Sequence, residues 1–194
     1  MIPETKGWAM IAFPCFSRIT FMHFDIPLFQ NYPQILQRLR EGEKFMDVGC
    51  GLGQQLRFLA YQGVSTENLF GVDISKPFVD LGYKLFKDSE TFKATFILSD
   101  LLEPGPELDS VRGQISIMFA GFFFHLWDWD RQLKAAKHLV ALLKPQKGSV
   151  IAGMQVGSMT HSGNWYDRPN PEYGPMFVHS LGSKLGGRQA RIGK

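Results

Sequence analysis

From Gly42 onward, short apolar runs alternate with segments whose apolar residues recur at helical spacing, the pattern of repeated strand, helix, strand units. The first run predicts a strand from Lys44 to Val48. A helix starting near Gln54 follows, turning Leu56, Phe58 and Leu59 inward and ending at Gly63, a residue suited to the left-handed turn that closes a helix. "LFGVD" predicts a second strand. Ser75 then reads as an N-cap, with Pro77 in the first turn of a helix that runs to about Lys87. "KATFILSD" is the third strand, "ISIMFA" the fourth and "GSVIAGMQV" the fifth. Between the third and fourth, the prolines and glycines of "LLEPGPELDSVRG" suit a loop with at most one or two helical turns. After the fourth, Asp128 and Asp130 sit where acids complement a helix N-terminus. That helix, "RQLKAAKHLVALLK", is expected to line Leu133, Ala136, Val140 and Leu143 along its inner face and to stop at Pro145. With right-handed crossovers, this succession predicts an α/β fold: a parallel sheet with helices on both faces.

The ends say less. "NYPQILQRLREG" reads as a short helix with Pro33 early and Gly42 after it, and "AFPCFSRITFMHF" as an extended cover over the sheet or part of a lid. Beyond Gly157 the chain is rich in Gly and Pro, and its last dozen residues read as solvated. The expected division is a cap over residues 1–43, a core over 44–157 and an irregular basic segment over 158–194.

A length of 194 residues suits one domain with a real core. The formal charge of +3 is not a surface property, because Lys184, Arg188, Arg191 and Lys194 all follow the last acid, Glu172, and the rest is balanced. No basic face for nucleic acid is therefore expected. Cys15 and Cys50 make no disulfide framework and no Asn-x-Ser/Thr acceptor occurs, which fits a reducing, cytoplasmic setting. Cys50 reads as a small buried residue. The most apolar run, Ile115 to Trp127, falls short of the roughly 20 residues a membrane-spanning helix needs. No targeting signal and no metal site are expected.

The candidate chemistry lies in "FMDVGCGLGQQLRFLA". Gly49, Gly51 and Gly53 stand between the first strand and its helix, where a glycine-rich turn lets backbone approach a ligand. A dinucleotide fingerprint would need glycine at Gln54, and no phosphate-loop Gly-Lys-Ser/Thr is present. Asp47 instead places a carboxylate two residues before the first glycine, suited to a cationic head such as the amino acid end of S-adenosylmethionine. Asp73 ends the second strand at the distance where an acid accepts hydrogen bonds from ribose hydroxyls, and Asp100 closes the third. Alternatively the glycines make only a tight turn, Asp47 faces solvent, and Asp73 and Asp100 cap the segments after them.

On these residues the sequence resembles the class I S-adenosylmethionine-dependent methyltransferases, and among them the fungal small-molecule enzymes of polyketide and terpenoid pathways. The matching words are "FPCFSRITFM", "YPQILQRLREGEKFMDVGCGLGQQLRFLAYQG", "ENLFGVDISKPFVDLGYKLFKD", "FFFHLWDWDRQLKAAKHLVALLKP" and "GSVIAGMQVG", with weaker echoes as far as "MFVHS". The resemblance implies a Rossmann-like fold with S-adenosyl-L-methionine as cofactor. Asp47, Gly49, Gly51 and Gly53 would hold its methionine end, Asp73 with Ile74 its ribose, and Asp100 with Leu101 its adenine. Relatives carry a helix before "FPC", and a helix and two closing antiparallel strands after "MF-x-H", so the sheet is expected to lack that hairpin.

The function implied is O-methylation of a hydrophobic small molecule, with His125 as candidate base where the methyl group should emerge. His125 reads equally well as a structural neighbour of the cofactor. His138 reads as surface or packing, and His161 and His179 as possible pocket lining. Phe122, Phe123, Phe124, Trp127, Trp129 and Trp165 could wall an apolar cavity. Two alternatives remain: a shortened relative acting through a partner without catalysis, and an NAD-dependent oxidoreductase, which Gln54 and Asp47 disfavour. Monomer or weak homodimer is expected.

Overall fold

The computed structural model describes residues 23–155 and the backbone of residues 163–164 and 177–178. Cys15, His161, Trp165 and His179 lie outside the described residues. Five strands, β1 (Phe45–Val48), β2 (Leu69–Asp73), β3 (Thr95–Leu98), β4 (Ile117–Phe119) and β5 (Val150–Ala152), form one sheet in the order β3-β2-β1-β4-β5. Every pairing in it is parallel, with Asp47 beside Gly71 of β2 and Phe119 of β4. The chain builds outward from β1 to β3, then returns to the other side of β1 at β4. That reversal opens a crevice at the carboxyl ends of β1 and β4, where α/β sheets bind ligands. A short antiparallel pair, β6 (Gly163–Asn164) and β7 (Phe177–Val178), is separate from this sheet.

Among the described residues four helices, α1 (Tyr32–Arg40), α2 (Gln54–Tyr61), α3 (Lys76–Phe86) and α4 (Trp129–Leu142), pack on the sheet. Neighbouring residues of β1 point to opposite faces. Phe45 joins Leu36 and Leu39 of α1 and Leu56 and Leu59 of α2 in one core, while Met46 and Val48 join Ala135, Leu139 and Leu142 of α4 in the other. Both faces are covered, so the strands are apolar throughout rather than alternating. Each fully buried leucine in these layers contributes about 1.5–3 kcal/mol.

The inner face of α4 differs from the sequence expectation. Leu133 and Val140 are 45% and 44% exposed, and the buried stripe is Ala135, Leu139 and Leu142. Both stripes satisfy helical spacing, and the sheet covers the second. The helix also stops before Pro145: Leu143 is extended and pairs with Ile115, whose N–H donates to the Leu142 carbonyl. Phe58 is half-buried, packing against the core of α1 and α2 while its ring stacks on Phe24 with centroids 4.6 Å apart. Among the described residues no helix is long and apolar enough to cross a membrane.

Candidate cofactor site

β1 ends at Val48 and the chain turns through Gly49, Gly51 and Gly53 at φ of +68°, +53° and +70°. Side chains rarely tolerate that conformation. The space beside each glycine is different. A Cβ on Gly49 would lie 2.8 Å from Phe123 and one on Gly53 2.7 Å from Phe96, whereas one on Gly51 would meet nothing within 4 Å. Two of the glycines thus make room for the protein's own rings, and Gly51 alone borders open space.

Arg57, one turn into α2, fastens this loop. Its Nη1 donates to the Leu52 and Gly53 carbonyls at 2.6 and 3.3 Å, while Nε and Nη2 donate to Asp88 at 2.7 and 3.0 Å. The guanidinium lies 4.5 and 4.6 Å from the ring centres of Phe86 and Phe92. Bidentate pairing and aromatic stacking together satisfy a charge that is almost wholly buried. Nothing local in the sequence marks Arg57, because Asp88 and the rings come from α3 and the chain beyond it.

Asp47 is only 4% exposed, and among the described residues no donor or cation meets it. Burial pushes its carboxyl well above the usual range, and the carboxyls of Asp73 and Asp25 push it further. Just past the loop, Gln54 Oε1 and Gln55 Oε1 are buried acceptors that meet no donor among the described residues.

Asp73 accepts from the Gly51 and Ser75 N–H groups, each at 2.8 Å. Burial raises its pKa, while these N–H groups draw it back. Ser75 holds the N-cap position of α3 without a side-chain capping bond, and Asp73 accepts from the Ser75 N–H in a turn that leads the chain from β2 into the helix. Each Asp73 oxygen keeps acceptor capacity for a hydroxyl. Ile74 beside it is exposed. Beyond β3, Asp100 Oδ1 accepts from the Leu102 N–H at 2.8 Å, and Leu101 is buried.

Asp25 is an addition the sequence did not single out. Gln55 Nε2 donates to the His23 carbonyl at 3.3 Å, and Ile26 is buried in the core of α1 and α2. These contacts hold the segment so that the Asp25 carboxyl acts on Asp47.

The loop after β4 carries the candidate base. Ala120 N donates to the Ala152 carbonyl at 2.8 Å, and Phe122, at φ +51°, donates to that of Met154 at 2.7 Å. Positive φ in a bulky residue is strained. It lets Phe123 turn down onto Gly49 and leaves Phe122 45% exposed. Phe123 is buried in the α4 core and packs edge-on against Phe124 and Trp127, which lie partly buried against the same core.

His125 lies in the short turn Phe124–Leu126, its backbone N and Nδ1 at 3.2 and 3.4 Å from Gln155 Oε1. Gln155 Nε2 donates to the Ala120 carbonyl at 2.9 Å, which aims the amide oxygen at the imidazole. That oxygen favours the tautomer with the proton on Nδ1, which leaves Nε2 as the acceptor. Burial lowers the His125 pKa, offset in part by the Gln155 hydrogen bond.

A parallel sheet ordered β3-β2-β1-β4-β5, with a glycine loop after its central strand, is the Rossmann-like fold of class I methyltransferases. The chain belongs to the methyltransferase domain family, which it matches over residues 45–146. It is 45% identical over 156 residues to the O-methyltransferase phiE of Fungal sp. (strain ATCC 74256), a match covering 79% of this chain and 52% of that protein. It is 43% identical over 149 residues to the Asnovolin E/Chermesin D methyltransferase nvfJ of Aspergillus novofumigatus (strain IBT 16806), covering 76% and 54%. The chain spans about half the length of these relatives. In fold it is similar to a SAM dependent methyltransferase from Aquifex aeolicus, with a TM-score of 0.52 at 20% identity over 80% of this chain and 75% of that one. The fungal relatives bear out the resemblance read from the sequence.

Proposed function

We propose that the protein is an S-adenosylmethionine-dependent O-methyltransferase acting on a hydrophobic small molecule of fungal secondary metabolism, in the cytoplasm. The observation that carries this reading is Asp47, a buried carboxyl with no cation or donor among the described residues. A buried charge without a partner is costly, and a cationic ligand removes the cost. An NAD pyrophosphate would meet the same carboxyl as a repulsion.

In this reading Asp47, Gly49, Gly51 and Gly53 hold the methionine end, Gly51 by leaving room and Asp47 by its charge. Asp73 with Ile74 holds the ribose, and Asp100 with Leu101 the adenine. When bound, the cofactor supplies a methyl group already activated on a sulfonium. The protein's own task is then alignment and exclusion of water. His125 Nε2, held as an acceptor by Gln155, takes the proton of an acceptor hydroxyl, and the exposed ring of Phe122 lies beside the His125 imidazole, centroids 6.2 Å apart.

Calorimetry tests the reading. S-adenosylmethionine and S-adenosylhomocysteine are expected to bind at micromolar concentrations and NAD not at all; binding of NAD alone would overturn it. Asp73→Ala should weaken S-adenosylhomocysteine binding by about tenfold or more, the worth of a charge-assisted hydrogen bond. An unchanged dissociation constant would remove Asp73 from the ribose.

A further inference from the structure

The geometry points to His138, on the inner side of α4, as a positioning residue for Asp100. This rests on the reading that the adenine end of the cofactor lies against Asp100 and Leu101.

The chain of contacts is short. His138 Nδ1 lies 2.9 Å from the Leu101 carbonyl oxygen. A carbonyl can only accept, so Nδ1 carries the proton and donates. The Leu101 carbonyl and the Leu102 N–H belong to one planar peptide unit. At the other edge of that plane, the Leu102 N–H donates to Asp100 Oδ1 at 2.8 Å. His138 therefore fixes the plane, and the plane fixes the rotation of the Asp100 carboxyl. One Asp100 oxygen is occupied, and the other meets no donor among the described residues. That free oxygen suits the 6-amino group of adenine.

A second tie runs between the same two elements. Lys134, one turn before His138, forms an ion pair with Glu103. Both partners are exposed, and exposed pairs contribute little. The half-buried histidine bond is the tie that orients, and its loss should be felt in base recognition rather than in folding alone.

The test compares S-adenosylhomocysteine with S-inosylhomocysteine, in which a carbonyl oxygen replaces the 6-amino group and would face the Asp100 carboxyl. The wild-type protein should prefer the adenine compound. His138→Phe should weaken its binding by about fivefold to tenfold, the worth of one hydrogen bond, and narrow the preference between the two compounds. His138→Asn, whose amide nitrogen takes the place of Nδ1, should restore both. Ligand-free melting temperatures show whether either variant has lost its fold. An unchanged preference in a folded His138→Phe protein overturns the inference, as does failure of His138→Asn to rescue.

A measurement on the wild-type chain needs no variant. Long-range proton–nitrogen spectra should show the His138 proton on Nδ1, and a proton on Nε2 alone would end the proposal. If wild-type protein binds neither compound, the cofactor reading itself falls and this inference with it.

Discussion

At the scale of single residues, Asp47 sets stability against function. Its carboxyl is buried among acids, so its native pKa stands well above that of the unfolded chain. Above the native value the group is ionised in both states and destabilises the ligand-free fold. Between the two values the native state holds a proton that the unfolded state has lost, so stability rises as pH falls. Asp47→Asn removes the penalty while keeping the shape. The variant should be more stable than wild type at neutral pH, because an amide in the same place carries no charge for burial and the Asp73 and Asp25 carboxyls to penalise. That advantage should shrink toward zero as pH approaches the ordinary carboxylate range. Urea denaturation of both ligand-free proteins across that window measures it, and calorimetry should find S-adenosylmethionine binding lost in the stabler protein. A variant less stable than wild type at neutral pH would mean that Asp47 already has a partner in the folded chain.

At the scale of elements, the glycine loop divides by what lies beside each residue. Gly51→Ala places a methyl in open space at φ +53°, a strain of about 1–2 kcal/mol for an L-residue. Gly49→Ala adds the same strain and drives Cβ to 2.8 Å from the Phe123 ring. Melting temperature should therefore fall further for Gly49→Ala, while Gly51→Ala should lose more S-adenosylhomocysteine affinity for its small loss of stability. The reverse ranking would place the ligand elsewhere. This loop is readable in the sequence because strand, glycines and helix are contiguous, and so are the five strands, whose two-sided burial writes itself as apolar runs. What holds the loop is not contiguous. Arg57 meets Asp88 and rings from two other segments, and His138 meets the chain beyond β3, so neither carries a local signature. The inner stripe of α4 is unreadable for a related reason. Leu133 with Val140 and Ala135 with Leu139 are both helical spacings, and only the sheet chooses between them.

At the scale of the whole molecule, the groups assigned to the cofactor come from segments far apart in sequence: the β1 loop, the end of β2 and the chain beyond β3, with Asp25 acting on Asp47 from before α1. The unfolded chain cannot present them together, so ligand binding must draw the equilibrium toward the native state. At a ligand concentration of 100 times Kd the linkage amounts to about 2.7 kcal/mol. For a chain of this size each kcal/mol moves Tm by about 2–4 °C, so saturating S-adenosylhomocysteine should raise Tm by roughly 5–10 °C. NAD should leave it unmoved. Because the ligand relieves charge on Asp47 and Asp73, whose pKa values stand above the ordinary in the free protein, binding releases protons and the shift should shrink on mild acidification. A thermal shift that is equal for both nucleotides, or that grows as pH falls, would show that the carboxyl groups at the sheet's rim do not face the cation.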